Sequence, residues 1–255
     1  MHTEGLGDAL FEDTLVEEDI HPEYVSAALT HTGRVRPTNQ DAFVDRADIR
    51  LWAVADGMGG HMQGDVASRM ACEGLNHLVP GTSLDLTIDD IQRRMSHVNA
   101  KLYAASVRPK NPVQSGSTLV VFAAQRTDCV VLWAGDSRAY RLRGGQLMQL
   151  TTDHTWAAQM AAHLPADDPL LEEDHSIMRA VGGEHTLVLD VRRDKVQLGD
   201  RYLLCSDGLT RELGADQIAT RLGTGDVAAA AESLLEATLA VGARDNVTVV
   251  VIEAG

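Results

Sequence analysis

The sequence predicts an α+β fold in which antiparallel sheets are combined with helices. Three observations indicate this class. The predicted elements come in blocks, in the order strands, two helices, strands, two helices, strand, whereas an alternating βαβ fold interleaves them. The pair Gly144-Gly145 separates two short strand patterns and is typical of a tight hairpin. No internal repeat or low-complexity linker divides the 255 residues, so a single large core is expected.

Three strand patterns precede the first helix, at residues 24–30, 42–46 and 51–55. The third is apolar throughout, which is typical of a strand buried on both faces. Asp56 follows it directly, and Gly57, Gly59 and Gly60 come next. Because glycine lets the backbone approach a ligand closely, we expect a loop here whose carbonyl groups can reach a bound group.

The remaining elements follow from hydrophobic periodicity and from capping residues. Helices are predicted at 65–78 and from Thr87, as the cap, to about 107. A short helix capped by Thr152 or Asp153 is predicted to end near 162. The other predicted strands are 117–124, 129–134, 138–142, 146–150, 186–191, 201–205 and 247–252, and the other helices are 215–222 and 226–239.

Composition limits the class of partner and the compartment. The formal net charge of -15 argues against nucleic acid and anionic membranes as main partners, because the long-range field repels them. Three cysteines without a C-x-x-C pair predict neither a disulfide framework nor a zinc site, and reduced thiols favour a cytoplasmic protein. No apolar stretch is long enough for a membrane span, and the N-terminus lacks the layout of a signal peptide.

The first 23 residues differ from the rest. They hold eight Asp or Glu residues and no Lys or Arg. Such a composition is typical of a solvated, flexible segment. We therefore predict an acidic N-terminal tail over residues 1–23 and a single domain over residues 24–255.

Four aspartates occur in equivalent settings, each at the end of an apolar strand and beside glycine or asparagine: Asp56, Asp136, Asp207 and Asp245. One such residue is more often a turn residue, but four predict a cleft where carboxylates converge. Like charges at close range raise one another's pKa, and divalent cations relieve that cost. Oxygen ligands favour Mg²⁺ or Mn²⁺ over Zn²⁺, and a pair of such ions can activate water for hydrolysis. Arg36 can grip a phosphate bidentately, although spacing alone favours an ordinary surface arginine.

Together the motifs resemble the bacterial form of the type 2C metal-dependent protein Ser/Thr phosphatases. The resemblance covers about residues 25–252, and its motifs occur in the order of that family. They are G-R-V-R-P-T-N-Q-D-A-F, V-A-D-G-M-G-G-H, S-G-S-T-L-V, A-G-D-S-R-A-Y, D-H-T, M-R-A-V-G, L-L-C-S-D-G-L-T and A-R-D-N-V-T-V-V.

The resemblance implies a four-layer α-β-β-α sandwich, in which two antiparallel sheets are flanked by helices, with two Mn²⁺ or Mg²⁺ ions at one end. By position, Asp56 would bridge both ions and the Gly57 carbonyl would bind one of them. Asp207 and Asp245 would bind the other ion, and Asp41 would support that shell through water.

The resemblance also implies roles around the metal centre, with two departures. Arg36 would clamp the substrate phosphate. His61 would protonate the leaving oxygen, or would only hydrogen-bond metal-bound water. Asp136 matches a third, weaker metal site. Gln40 stands where the family often has Glu, which predicts modestly weaker metal binding. Arg211 stands where many relatives have an acidic residue, which predicts a weak or absent third site.

The implied activity is one-step hydrolysis of phosphoserine and phosphothreonine in phosphorylated proteins, opposing a bacterial Ser/Thr protein kinase. Alternatives are a catalytically inactive relative that acts as a binding module and a phosphatase of anti-sigma-antagonist proteins. The region from M-R-A-V-G to S-D-G-L-T-R-E-L, residues 178–213, also resembles phosphatases that accompany type VI secretion, which would add secretion components to the partners.

Overall fold

The computed structural model describes residues 22–59, 63–110, 112–161, 163–164, 168 and 176–255. Within them the strands are β1 (Tyr24–His31), β2 (Asp41–Arg46), β3 (Leu51–Gly59), β4 (Ser115–Ser117), β5 (Leu119–Gln125), β6 (Asp128–Ala134), β7 (Arg138–Arg143), β8 (Gln146–Gln149), β9 (Asp190–Lys195), β10 (Arg201–Cys205) and β11 (Val247–Ala254). The helices are α1 (Gln63–Asn76), α2 (Leu84–Ser106), α3 (Trp156–Met160), α4 (Asp207–Thr210), α5 (Ala215–Leu222) and α6 (Val227–Val241).

The strands form two antiparallel sheets. One has five strands in the order β1-β11-β10-β7-β8, and the other has the order β2-β3-β5-β6-β9, with β4 paired to the end of β3. Gly144 and Gly145 both have positive φ, at 55° and 80°, in the turn between β7 and β8. Such a turn matches the twist of the two strands it joins, so the predicted hairpin is confirmed.

Three apolar layers lie between four layers of secondary structure. The middle layer packs the two sheets together and includes Trp52, Phe122 and Tyr202. The first outer layer packs α1 and α2 on one sheet, and the second packs α5 and α6 on the other. In β11, successive valines face opposite layers, because side chains alternate along a strand. The predicted α-β-β-α sandwich is therefore confirmed.

The end of β3 differs from the prediction, which ended this strand at residue 55 and placed a loop after it. The strand continues to Gly59 because it gains a partner: Gly57 pairs with Ser117, and Gly59 pairs with Ser115. Asp56 and Gly57 thus lie within a strand, where the sheet fixes their positions. α1 begins at Gln63, slightly before the predicted start.

Two helix starts were also predicted wrongly, because a different hydroxyl caps each helix. Ser83 caps α2, since its Oγ accepts from the Leu86 amide at 3.3 Å, while the Thr87 hydroxyl bonds back to the Ser83 carbonyl. Thr155, rather than Thr152 or Asp153, caps α3 by accepting from the Ala158 amide at 3.2 Å. The helix starts at the residue after each cap.

The strand predicted at 186–191 was wrong. β9 instead spans Asp190–Lys195 and pairs with β6 at the edge of its sheet. Its sequence, D-V-R-R-D-K, has little apolar character because alternate side chains are exposed. An edge strand with so many charges carries no hydrophobic signal.

The acidic segment that we predict to be a tail lies almost wholly outside the described residues, so this prediction stays open. The described chain begins just before β1, where Glu23 and Gly255 exchange two backbone hydrogen bonds of 2.9 Å. In the parts of the chain that the structure describes, no helix combines the length and the apolar character needed to cross a membrane.

Candidate functional site

Five predicted aspartates lie at one pole of the sandwich. Asp41 and Asp56 face each other as register partners on β2 and β3. Asp136 follows β6, Asp207 is the first residue of α4 and lies two positions after the end of β10, and Asp245 precedes β11. The other four carboxylates all act on Asp56 through their negative charge. The sheets therefore bring together residues that are as much as 204 positions apart in the chain.

Burial and mutual repulsion raise the pKa values of these aspartates. Burial, and then the charges of Asp41 and Asp207, raise the pKa of Asp56 well above its usual range. Burial, followed by the Asp207 charge, raises the pKa of Asp136 to about 7. Burial raises the pKa of Asp41 to about 6, although hydrogen bonds from two hydroxyls oppose the shift. A compensating cation is thus what the ionised site needs.

Three of these carboxylates have one oxygen without a partner. Within the described residues, the buried Oδ1 atoms of Asp41, Asp136 and Asp207 make no hydrogen bond. The second oxygen of Asp41 is held firmly, because it accepts from Ser206 Oγ at 2.8 Å and from Thr248 Oγ1 at 2.7 Å. Buried oxygens normally find a partner, so these three atoms fit the role of cation ligands.

The donor set suits a hard divalent cation. Over the described ranges, no three His, Cys, Asp or Glu side chains converge on one point as they stand. Mg²⁺ needs only one or two carboxylates because it keeps several of its waters, and Mn²⁺ shares the preference for oxygen donors. A few aspartate oxygens, completed by water, therefore suit Mg²⁺ or Mn²⁺. A site made only of side-chain ligands is not required.

Replacing Thr248 with valine tests whether the Thr248 hydroxyl stabilises the ionised carboxylate of Asp41. The hydroxyl donates to the Asp41 carboxylate, so its loss should destabilise the metal-free protein by about 1 to 2 kcal/mol when Asp41 is ionised. Because the pKa of Asp41 is raised to about 6, the loss should be larger at pH 8 than at pH 5. Denaturant melts at both pH values measure it. The control Thr238→Val removes a buried hydroxyl that bonds only a helix carbonyl, and equal pH dependence in both variants would contradict this account.

Glycines allow the backbone to pack closely around the aspartates. A Cβ on Gly57 would lie 2.0 Å from the Gly64 carbonyl oxygen, and one on Gly208 would lie 1.9 Å from the Asn246 carbonyl oxygen. The Gly57 amide donates to the Gln40 carbonyl at 3.1 Å, and Ser68 Oγ donates to the same oxygen at 2.6 Å. Metal binding by the Gly57 carbonyl and the effect of Gln40 remain predictions.

Arg36 lies at the same pole and is bound to one of the aspartates. Its Nε donates to Asp245 Oδ1 at 2.8 Å, and its Nη2 donates to Asp245 Oδ2 at 2.6 Å. This is the bidentate geometry that a guanidinium also offers to phosphate. The arginine side chain is 55% exposed, so it is accessible to a ligand.

Asn246, which the sequence analysis missed, organises the loop that carries Arg36. Its amide nitrogen donates to the carbonyls of Thr32 and Thr38 at 2.8 and 2.9 Å, and its Oδ1 accepts from the Gln40 amide at 2.8 Å. The D-N pair before an apolar strand was the available signal. Ser206 and Thr248 were missed because hydroxyls within strand patterns carry no distinctive spacing.

A cleft of about 510 Å³ opens beside these groups. Its walls are rich in paired charges, with four arginines and five acidic residues. Asp41, Asp56 and Gly57 are not among its described lining residues. The lining consists of Arg36, Asp136, Arg138, Asp153, Thr155, Asp207, Gly208, Thr210, Arg211, Glu212, Arg244 and Asp245.

His61 and the three cysteines complete the account of residues with possible chemistry. His61 lies outside the described residues, so its role stays a prediction. Cys72, Cys129 and Cys205 are buried and free, and burial raises the pKa of each thiol to about 12. A thiol is nucleophilic only as thiolate, so the cysteines are unsuited to covalent catalysis.

Known proteins share both the sequence and the fold. A family model for protein phosphatase 2C matches residues 31–245. The serine/threonine protein phosphatase PstP of Mycobacterium tuberculosis is 38% identical over 241 residues, which cover 89% of this chain and 44% of PstP. The chain thus spans less than half of that relative. The serine/threonine phosphatase stp of Listeria monocytogenes serovar 1/2a is 33% identical over 239 residues, covering 88% of this chain and 93% of stp.

Two solved structures are closely similar. PppA, a key regulatory component of T6SS in Pseudomonas aeruginosa, superimposes with a TM-score of 0.83 at 36% identity, covering 92% of this chain and 99% of PppA. The catalytic domain of PstP in complex with two manganese ions gives a TM-score of 0.80 at 34% identity, covering 91% of this chain and 98% of that domain. Sequence, fold and the clustered aspartates agree: the chain belongs to the protein phosphatase 2C family.

Proposed function

We propose that the protein is a metal-dependent phosphatase that hydrolyses phosphoserine and phosphothreonine in proteins. The observation that carries this proposal is the cluster of aspartates with unpartnered oxygens beside an arginine-lined cleft. Family membership and the manganese bound to the PstP catalytic domain support it.

Asp56, Gly57, Asp207 and Asp245 would hold two Mn²⁺ or Mg²⁺ ions, with Asp41 behind them. When bound, such ions polarise the phosphoryl oxygens and activate a water for attack on phosphorus. Ser206 and Thr248 keep Asp41 in place through hydrogen bonds to its Oδ2. Asp136 would belong to a third site, which we propose is weak.

Two further groups would act on the substrate. Arg36 would bind the phosphate with the two N–H groups that now contact Asp245. Exchange of one anionic partner for another keeps the guanidinium paired throughout, which limits its desolvation cost. His61 would give a proton to the leaving serine or threonine oxygen.

The direct test is an assay with p-nitrophenyl phosphate and a phosphothreonine peptide. We expect turnover with Mn²⁺, loss of turnover in excess EDTA, and recovery when Mn²⁺ is added back. Phosphopeptide binding without turnover would instead support the binding-module alternative and would overturn the proposed activity.

Arg36→Ala should lower kcat/KM for the phosphopeptide by about 10- to 100-fold, chiefly by raising KM, because the lost contacts hold the substrate phosphate. Arg34→Ala is the matched control, since Arg34 is an exposed arginine on the same loop that donates to the Leu239 carbonyl instead. Steady-state kinetics of the two variants measure the difference. Equal kinetics in both would remove Arg36 from the binding site.

The opposing enzyme would be a bacterial Ser/Thr protein kinase, and buried free cysteines favour a reducing compartment such as the cytoplasm. Similarity to PppA favours a second, narrower candidate, regulation of a type VI secretion assembly. Comparing the phosphoproteome of a deletion strain with that of its parent distinguishes the general role from the role in type VI secretion. Changes confined to secretion components would support the narrower role.

A further inference from the structure

Three exposed arginines line the mouth of the cleft, and each is tied to a carboxylate in its wall. The pairs are Arg36 with Asp245 at 2.6 Å, Arg211 with Asp207 at 2.6 Å, and Arg244 with Glu212 at 3.0 Å. The arginine side chains are 55%, 49% and 76% exposed. The family resemblance assigns the phosphate to Arg36, treats Arg211 only as a departure that weakens a third metal site, and gives Arg244 no role.

Arg211 and Arg244 keep donors available for another ligand. Arg211 contacts Asp207 Oδ2 through Nη2, and Arg244 contacts Glu212 Oε1 through Nε. A guanidinium has five N–H donors, so most donors of both residues are not engaged by these carboxylates. Their exposure leaves these donors open to a molecule that enters the cleft.

The three arginine pairs are linked through residues that are neighbours in the chain. Arg211 is followed by Glu212, the residue that Arg244 contacts through both its side chain and its backbone amide. Arg244 is in turn followed by Asp245, the partner of Arg36. All six residues of the three pairs line the same cleft.

The pairing of Arg211 is compatible with a metal on the same aspartate. Asp207 Oδ2 contacts the arginine, whereas its buried Oδ1 has no hydrogen-bond partner in the described structure. One oxygen can therefore face a cation while the other holds Arg211. The cleft lining carries one excess negative charge, and Asp41 and Asp56 beside it add two more. Two divalent cations would offset these three charges and leave a slightly positive mouth that attracts anions.

We propose that Arg211 and Arg244 form a second anion subsite beside the scissile phosphate, which selects substrates with an acidic side chain next to the phosphorylated residue. This inference rests on the proposed phosphatase function and adds a substrate class to it. A substrate carboxylate would receive charge-assisted hydrogen bonds from both guanidinium groups. The partial exposure of the site limits the gain, so we expect a preference of about tenfold rather than a strict requirement.

The test compares three phosphothreonine peptides that differ only in their flanking residues, which are glutamate, alanine or lysine. For the unmodified protein with Mn²⁺, kcat/KM should be about tenfold higher for the glutamate peptide than for the alanine peptide, and lowest for the lysine peptide. In Arg211→Ala and in Arg244→Ala, the glutamate-to-alanine ratio should fall toward one. Each ratio is internal to one variant, so a general change in catalytic rate cancels.

Arg93→Ala is the control, because Arg93 is as exposed as Arg244 at 76% and also pairs with an aspartate, but on α2. It should keep the preference of the unmodified protein. A readout without turnover uses fluorescence anisotropy of labelled peptides that carry a non-hydrolysable phosphonate in place of the phosphate, measured in Mn²⁺ with the unmodified protein and with Arg211→Ala. The glutamate peptide should bind more tightly only when Arg211 is present.

The outcomes distinguish a failure of the phosphatase function from a failure of the second anion subsite. If no peptide and no p-nitrophenyl phosphate is turned over, the phosphatase function itself fails. Turnover with equal rates for all peptides, a preference for lysine, or a glutamate preference that survives both arginine variants would overturn the second subsite while leaving the activity intact.

Discussion

Asp56→Asn is expected to abolish phosphatase activity, by about a thousandfold or more, and at the same time to stabilise the metal-free protein. Both effects have one cause. Burial and the charges of the neighbouring aspartates raise the pKa of Asp56 well above its usual range. Without metal, its ionised form is therefore unfavourable in the folded state, and a neutral amide removes that cost.

The pH dependence of this effect has a definite sign. A carboxyl whose folded pKa is raised binds more protons when folded than when unfolded, so its contribution to stability falls as pH rises. With the pKa of Asp41 raised to about 6 and that of Asp136 to about 7, the metal-free protein should lose stability from about pH 4 to pH 7. Asp56→Asn should flatten this slope.

Thermal melts in EDTA across that pH range, paired with a Mn²⁺-dependent assay, measure both effects. Asp89→Asn is the control, because Asp89 is an exposed aspartate on α2. Asp89→Asn should change neither activity nor slope. An Asp56→Asn protein that stays active with Mn²⁺, or that melts lower than the unmodified protein in EDTA at pH 7, would contradict the role assigned to Asp56.

Gly208→Ala should cost about 3 kcal/mol or more of stability, despite introducing a better helix former. Gly208 lies in α4, where alanine would ordinarily be favoured by about 1 kcal/mol. A Cβ there would lie 1.9 Å from the Asn246 carbonyl oxygen, so backbone must move. Asn246 cannot shift easily, because its side chain bonds three backbone groups of the segment that carries Arg36.

Gly214→Ala is the matched control. Gly214 has a φ of -74°, and a Cβ at this position would meet nothing within 4 Å. Denaturant unfolding should show a large loss for Gly208→Ala and a loss of at most about 1 kcal/mol for Gly214→Ala, which replaces the N-cap of α5. Equal stability of the two variants would mean that the close packing of α4 on the start of β11 is not required.

Elements with strong local signals were predictable from the sequence. The apolar run of β11 and the glycine pair before β8 carried their structure in their own residues. The end of β3 and the whole of β9 were not predictable from the sequence. Pairing with β4 sets where β3 ends, and pairing with β6 makes β9 a strand. Local propensity gives little information where a distant strand supplies the hydrogen bonds.

The candidate site likewise contains residues that could be predicted from the sequence and residues that could not. Aspartates at strand ends indicated a shared pole, and the structure places Asp41 opposite Asp56. The supporting hydroxyl of Thr248 and the anchoring amide of Asn246 depend on contacts across the fold. Such contacts join residues far apart in the chain, so no spacing in the sequence announces them.

Calorimetric titration of the purified, metal-free protein with Mn²⁺ at pH 7 tests the central claim most directly, since it requires no substrate. If the clustered aspartates form the metal centre, the protein should take up about two ions with release of protons, and Asp56→Asn should lose most of this uptake. An absence of saturable Mn²⁺ binding, or identical binding by Asp56→Asn, would contradict the claim.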